Sequence, residues 1–242
     1  MDIQSLHYDF KIKMDRVDSL SSQDFNSAEI DWLLNEAQLV FIKRRYTDLS
    51  NNKRKGFEAS QKRIDDLATL VVKYPEQPAL IPTLDDGVYY LDLADTTHPY
   101  MFLLQAYCNI EVSTDCIKSA PLKFIQHDDF RESLRDPFNS PSLDYLPYNM
   151  GRSINNPTIA AMYIYPGDYT IPEVFVEYIK YPSRVSLGNY VYIDGNIYPA
   201  ATLELPKQTH PEIVDIACEL AALNIENPEY IQLKTLKVNS HE

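Results

Sequence analysis

The feature that most limits what this chain can fold into is where its prolines and glycines lie. Residues 1–74 hold no proline and one glycine, Gly56, whereas residues 75–211 hold 15 of the 16 prolines, five of the six glycines and 14 of the 18 tyrosines. Proline and glycine punctuate turns, and tyrosine suits a pleated, half-buried surface. The first part is therefore expected to be helical and the middle β-rich.

Within the first part the apolar period is near 3.6. Asn26 and Glu29 have the spacing of a capping box, and Ile30, Leu33, Leu34, Ala37, Val40 and Phe41 then fall on one helical face. Trp32 lies off that stripe, placed for a neighbouring element or another subunit. A second helix is expected from Phe57 to Tyr74, with Ile64, Leu67, Leu70 and Val71 as its apolar face and Pro75 as its stop. A shorter amphipathic helix is expected over Ile3 to Val17.

The middle reads as strands at Gly87 to Leu93, Tyr100 to Val112, Thr158 to Pro166 and Glu173 to Pro182, all rich in aromatic and β-branched residues. Asp194-Gly195, between two apolar runs, predicts a hairpin with a type I′ turn. The Pro-, Ser- and Asn-rich stretch from Arg135 to Asn156 predicts a long loop.

Helix returns near the end, where Thr209 and Glu212 form a second potential capping box. Ile213, Val214, Ala217, Cys218, Leu220, Ala221 and Ile225 make a wide apolar face. Such a face needs other helices, and the candidates lie before residue 75. The expected architecture is α+β: a helical bundle formed by N- and C-terminal helices, with a β-rich insertion between them. The expected divisions are 1–74, 75–208 and 209–242, the last ending in a polar tail.

Charge narrows the partners. The net charge is −13, yet Lys43 to Arg63 carries eight basic side chains against Asp48 and Glu58, leaving that segment +6 and the remainder −19. An acidic body disfavours general nucleic-acid binding, and a basic island on it fits docking between subunits or onto an acidic partner. No run approaches the roughly 18 apolar residues of a membrane span. MDIQSLHYDF lacks a signal-peptide profile, so the chain is expected to be made in the cytoplasm. Cys108, Cys116 and Cys218 are too few and too scattered for a disulfide framework or a zinc site.

A search for chemistry finds no nucleophile elbow, phosphate loop, dinucleotide fingerprint or zincin motif. His127, Asp128 and Asp129 are the best candidates for a divalent metal and a hydrolase. However, adjacent side chains diverge on either regular element, and an N-cap role explains the carboxylates equally well. Asp85-Asp86 reads as a turn and Asp65-Asp66 as the wet face of a helix. No cofactor is expected.

The stretches EIDWLLNEAQ (29–38), GFEASQKRIDDLATLV (56–71), EVFVEYIKYPSRVSLGNYVYIDG (173–195) and LELPKQTHPEIVDIACELAA (203–222) are similar to virion proteins of crAss-like bacteriophages. They resemble the head-to-tail connector class, the adaptor or ring proteins below the portal. The resemblance implies a structural, non-enzymatic subunit of a dodecameric ring at the head–tail junction of the virion. Its partners would be its own copies, the portal and other tail proteins. Genomic DNA would pass through without sequence-specific binding, and no membrane would be involved. Other tail-completion or capsid-associated proteins are the alternative. Lys53, Arg54, Lys55 and Trp32 are the candidate partner contacts.

Overall fold

The computed structural model describes residues 1–15, 25–46, 61–74, 83–85, 87–93, 98–113, 116–129, 140–154, 156–192 and 194–224. Four α-helices run over Ile3–Asp15 (α1), Ser27–Tyr46 (α2), Gln61–Leu67 (α3) and His210–Asn224 (α4). Eight strands lie between α3 and α4: Val71–Tyr74 (β1), Thr83–Asp85 (β2), Val88–Asp92 (β3), Tyr100–Ser113 (β4), Cys116–Phe124 (β5), Leu146–Arg152 (β6), Ala160–Ile164 (β7) and Thr170–Lys180 (β8). The chain divides into two compact units, one from Met1–Leu70 with Pro182–Glu242 and one from Val71–Tyr181.

In the first unit α2 begins with a reciprocal cap. The Asn26 N–H donates to Glu29 Oε2 at 2.9 Å, and the Glu29 N–H donates to Asn26 Oδ1 at 2.9 Å. Ile30, Leu33, Leu34, Ala37, Phe41 and Ile42 of α2 are buried. Each large side chain among them is worth about 1.5–3 kcal/mol by removal from water. α4 buries Ile213, Val214, Ile216, Ala217, Cys218, Ala221 and Ala222 and lies against both α1 and α2.

In the second unit the strands form one curled sheet in the order β1-β8-β4-β5-β6-β7-β3-β2. All neighbours are antiparallel except β5 and β6, which are parallel. Period-two alternation turns Ala106, Cys108 and Ile110 of β4 and Val174, Val176 and Tyr178 of β8 to one core, which Leu146, Met162 and Ile164 share. Burial pushes the Cys108 thiol up to about 12, so it packs there as a small apolar group. Gly151 on β6 lies against the Tyr163 ring: a Cβ there would meet Cε2 at 2.7 Å, so the ring would have to shift.

Several expectations need correction. The expected bundle of N- and C-terminal helices with a β insertion is not the architecture; the protein is α+β overall, and its described residues form four α-helices and a curled sheet. α1 and α2 touch little, and part of the buried side of α2 is covered by extended chain, not by another helix. The helix expected to reach Tyr74 stops earlier. It passes through a 3₁₀ turn at Ala68–Leu70, and residues 71–74 pair with β8. The β-branched pair Val71-Val72 suits a strand better than a helix, and an available partner strand decides the matter.

The stretch expected as one long loop contains β6, whose Leu146, Pro147, Tyr148 and Asn149 are buried. At Asp194-Gly195 the chain does turn back, with the Gly195 N–H donating to Tyr192 O at 2.9 Å and a single bridge between Val191 and Ile197. Gly195 has the positive φ, at 84°, for which glycine suits this turn. Thr209 does not cap α4. It ends a 3₁₀ turn, Lys207–Thr209, and its hydroxyl donates to Pro206 O at 2.9 Å.

Candidate functional site

In the first unit, a polar stripe runs along the buried side of α2. Asp31, Asn35 and Gln38 stand at i, i+4 and i+7, one above another on the helix. They face the extended segment that follows residue 182. The Asn35 amide donates to Val185 O at 2.9 Å, and the Val185 N–H donates back to Asn35 Oδ1 at 2.9 Å. The Gln38 amide donates to Ser183 O at 3.2 Å, and the Leu187 N–H donates to Asp31 Oδ2 at 2.8 Å. Three side chains thus bond residues 183, 185 and 187 as a partner strand would, satisfying backbone groups that burial would otherwise penalise.

Asp31 is fully buried. Its Oδ1 lies 2.6 Å from His7 Nε2, and Tyr190 donates its hydroxyl to Oδ2. A carboxylate only accepts, so His7 Nε2 carries the proton. This one side chain joins α1, α2 and the segment around residue 190.

Trp32 follows Asp31 and is 42% exposed. The Tyr190–Asp31 bond ties the helix turn that bears Trp32 to the turn that bears Val191 and Ile197, which are also exposed. Arg184 is exposed and is stacked 4.0 Å from the Tyr192 ring centroid and 4.3 Å from that of Tyr198. Its Nη1 is 3.0 Å from Asp194 Oδ2.

The hydrogen bond from the Tyr198 hydroxyl, with help from the Asn196 N–H and Arg184, pulls the Asp194 carboxyl down to about 2. Its folded pKa lies below the unfolded value of 3.8, so its stabilisation is complete above that value and lost as the pH falls towards 2. Acid titration followed by tyrosine absorbance should show this loosening below pH 3.8, and Asp194→Asn should abolish it.

Other residues singled out from the sequence do not converge. Lys53, Arg54 and Lys55 lie outside the described residues, as do Asp86 and the tail from Asn227. His127, Asp128 and Asp129 are exposed, and His127 Nε2 donates to Met150 O at 2.7 Å. Among the described residues, no group of three or more His, Cys, Asp or Glu is arranged to hold a metal.

Asp66 is not on a wet face. It is buried, with Arg45 Nε at 3.0 Å from Oδ2 and the Gln208 amide at 3.1 Å from Oδ1. Arg45 also grips Glu212 through both carboxylate oxygens, at 2.7 and 2.9 Å, and joins α2, α3 and α4.

No local signal in the sequence marks these residues as buried. Asp31 and Gln38 flank the apolar positions of α2, as solvated side chains on an amphipathic helix also do.

The buried polar groups described here fasten elements of the chain to one another, and the exposed aromatic and aliphatic side chains face outward. Residues 1–229 match the family described as phage tail ring protein 3/4, and the chain belongs to this family of crAss-like phages. No curated protein matches it. Membership makes the chain a structural ring component of a phage tail, oligomeric and located in the virion with other tail proteins. Among the described residues no helix is long and apolar enough to cross a membrane.

Proposed function

We propose that the chain is one subunit of a dodecameric connector ring at the head–tail junction, below the portal, through which the genome passes. The observation that carries this reading is the family match over residues 1–229, joined to a net charge of −13. An acidic channel wall repels the DNA phosphates and lets the duplex slide, with no sequence-specific contact. Lateral contacts are head-to-tail, each using two different patches, and they close when the rotation per subunit divides the circle. The portal above and further tail proteins below complete the stack. Lys53, Arg54, Lys55 and Trp32 serve as partner contacts. Side-chain-resolution imaging of virions tests the position and symmetry; a ring of another order, a site away from the junction or a basic channel wall would each count against it.

Trp32 gives a simpler assay, because it is the only tryptophan. Its emission should move to shorter wavelength, and acrylamide quenching should fall, when the purified protein assembles. Unchanged quenching in the ring would remove Trp32 from the interface.

A further inference from the structure

The outward face of the curled sheet is built like the centre of a protein interface. Pairing across β8 and β4 sets Phe175 beside Tyr107, and the two rings stack at 4.8 Å between centroids with 12° between planes. Their strand neighbours Ala106, Cys108, Val174 and Val176 are buried on the opposite face, so this aromatic pair is not part of the unit's core. Tyr107 remains 36% exposed.

Carboxylates flank the pair along both strands. Glu173 stands across from Asn109, Glu177 across from Gln105, and Glu111 lies further along β4. The Asn109 amide holds Glu173 at 2.7 Å and the Gln105 amide holds Glu177 at 2.6 Å, which fixes the position of both carboxylates. Lys73 pairs with Glu177 at 3.1 Å. An aromatic centre with a polar rim is the arrangement found at interfaces, and here the rim is acidic.

The charge of the chain indicates what covers it. Residues 71–181 carry fifteen acidic against seven basic side chains, while the segment from Lys43 to Arg63 is +6, of which Arg44 and Arg45 are already paired with Glu219, Asp66 and Glu212 in their own chain. A head-to-tail ring needs two unlike patches that complement each other. We infer that the Tyr107–Phe175 sheet face is one half of the lateral interface, and that the basic segment of a second copy, with Lys53, Arg54 and Lys55, covers it. This inference rests on the ring reading and adds the surface through which neighbours meet. Lys or Arg over the Tyr107 ring gains a cation–π contact as well as the carboxylates.

The test uses the full chain in three forms: wild type, E111K/E173K, and K53E/R54E/K55E. Ring formation is followed by mass photometry and negative-stain imaging, with melting curves to confirm folding. Each reversed chain alone should assemble at least about tenfold more weakly than wild type, since like charges then oppose each other. Mixed in equal amounts, the two should form rings again, with the variants alternating, because each basic patch then meets an acidic one. Tyr107→Ser should weaken the ring without changing its salt dependence. Normal rings from E111K/E173K, or two assembly-defective variants that fail to rescue each other, would overturn the assignment. A wild-type chain that never leaves the monomer would instead overturn the ring reading itself, and this inference with it.

Discussion

Replacing Asp31 with alanine is expected to cost the protein about 3–5 kcal/mol, because several donors lose one acceptor and each buried donor left unsatisfied costs about 1–3 kcal/mol. Three donors converge on this carboxylate: His7 Nε2, the Leu187 N–H and the Tyr190 hydroxyl. Alanine leaves the buried His7 ring and the half-buried Leu187 N–H and Tyr190 hydroxyl without this acceptor. A domain's whole stability is only about 5–15 kcal/mol, so the loss takes a large share of it. Asp31→Asn should cost less, because its amide oxygen still accepts one of the donors. Urea unfolding followed by Trp32 fluorescence, one residue away, measures both variants. A loss under about 1 kcal/mol for alanine would mean that the three donors find other partners, and the role given to Asp31 would be wrong.

Phe41→Ala should be comparably costly, about 3–5 kcal/mol, because it removes a large side chain from a site that cannot fully collapse. Phe41 is 1% exposed on α2, and the Arg45 guanidinium lies 4.8 Å from its ring centroid. The substitution therefore opens a cavity and removes the platform that positions Arg45 for Asp66 and Glu212. A double-mutant cycle with Arg45→Ala separates the two effects, with an expected coupling of about 0.5–2 kcal/mol. Phe41→Leu should retain most of the stability. Equal melting temperatures for wild type and the alanine variant would place Phe41 outside the packing that holds α2.

Much of the local structure was legible in the sequence. Asn26 and Glu29 announce the start of α2, and the apolar spacing that follows identifies its buried side. The aromatic and β-branched runs at 88–92, 100–113, 160–164 and 170–180 mark four of the strands. These signals are local, with donor, acceptor or apolar period only a few residues apart. β1 and β6 were not legible. Residues 71–74 continue a helical pattern until β8, about a hundred residues later, supplies hydrogen bonds, and residues 146–152 have the turn-rich composition of a loop.

The candidate contacts divide the same way. The basic segment is visible as a charge count. The face it is proposed to meet is not, because Tyr107 and Phe175 become neighbours only through strand register. Asp31 looked like one more polar residue on a helix, and Asp66 like a solvated one. Their burial depends on donors contributed by His7, Tyr190, Arg45 and Gln208.

By itself, the sequence determined which segments bury an apolar side, where helices can begin, and how charge is distributed, since all of these depend on residues close in the chain. Only the tertiary structure decided that the helices do not form a bundle, that residues 183–187 pair with side chains of α2, and which carboxylates leave water. Those outcomes depend on long-range pairing: a buried polar group is stable only when its partner arrives, and distance along the chain does not reveal which partner will.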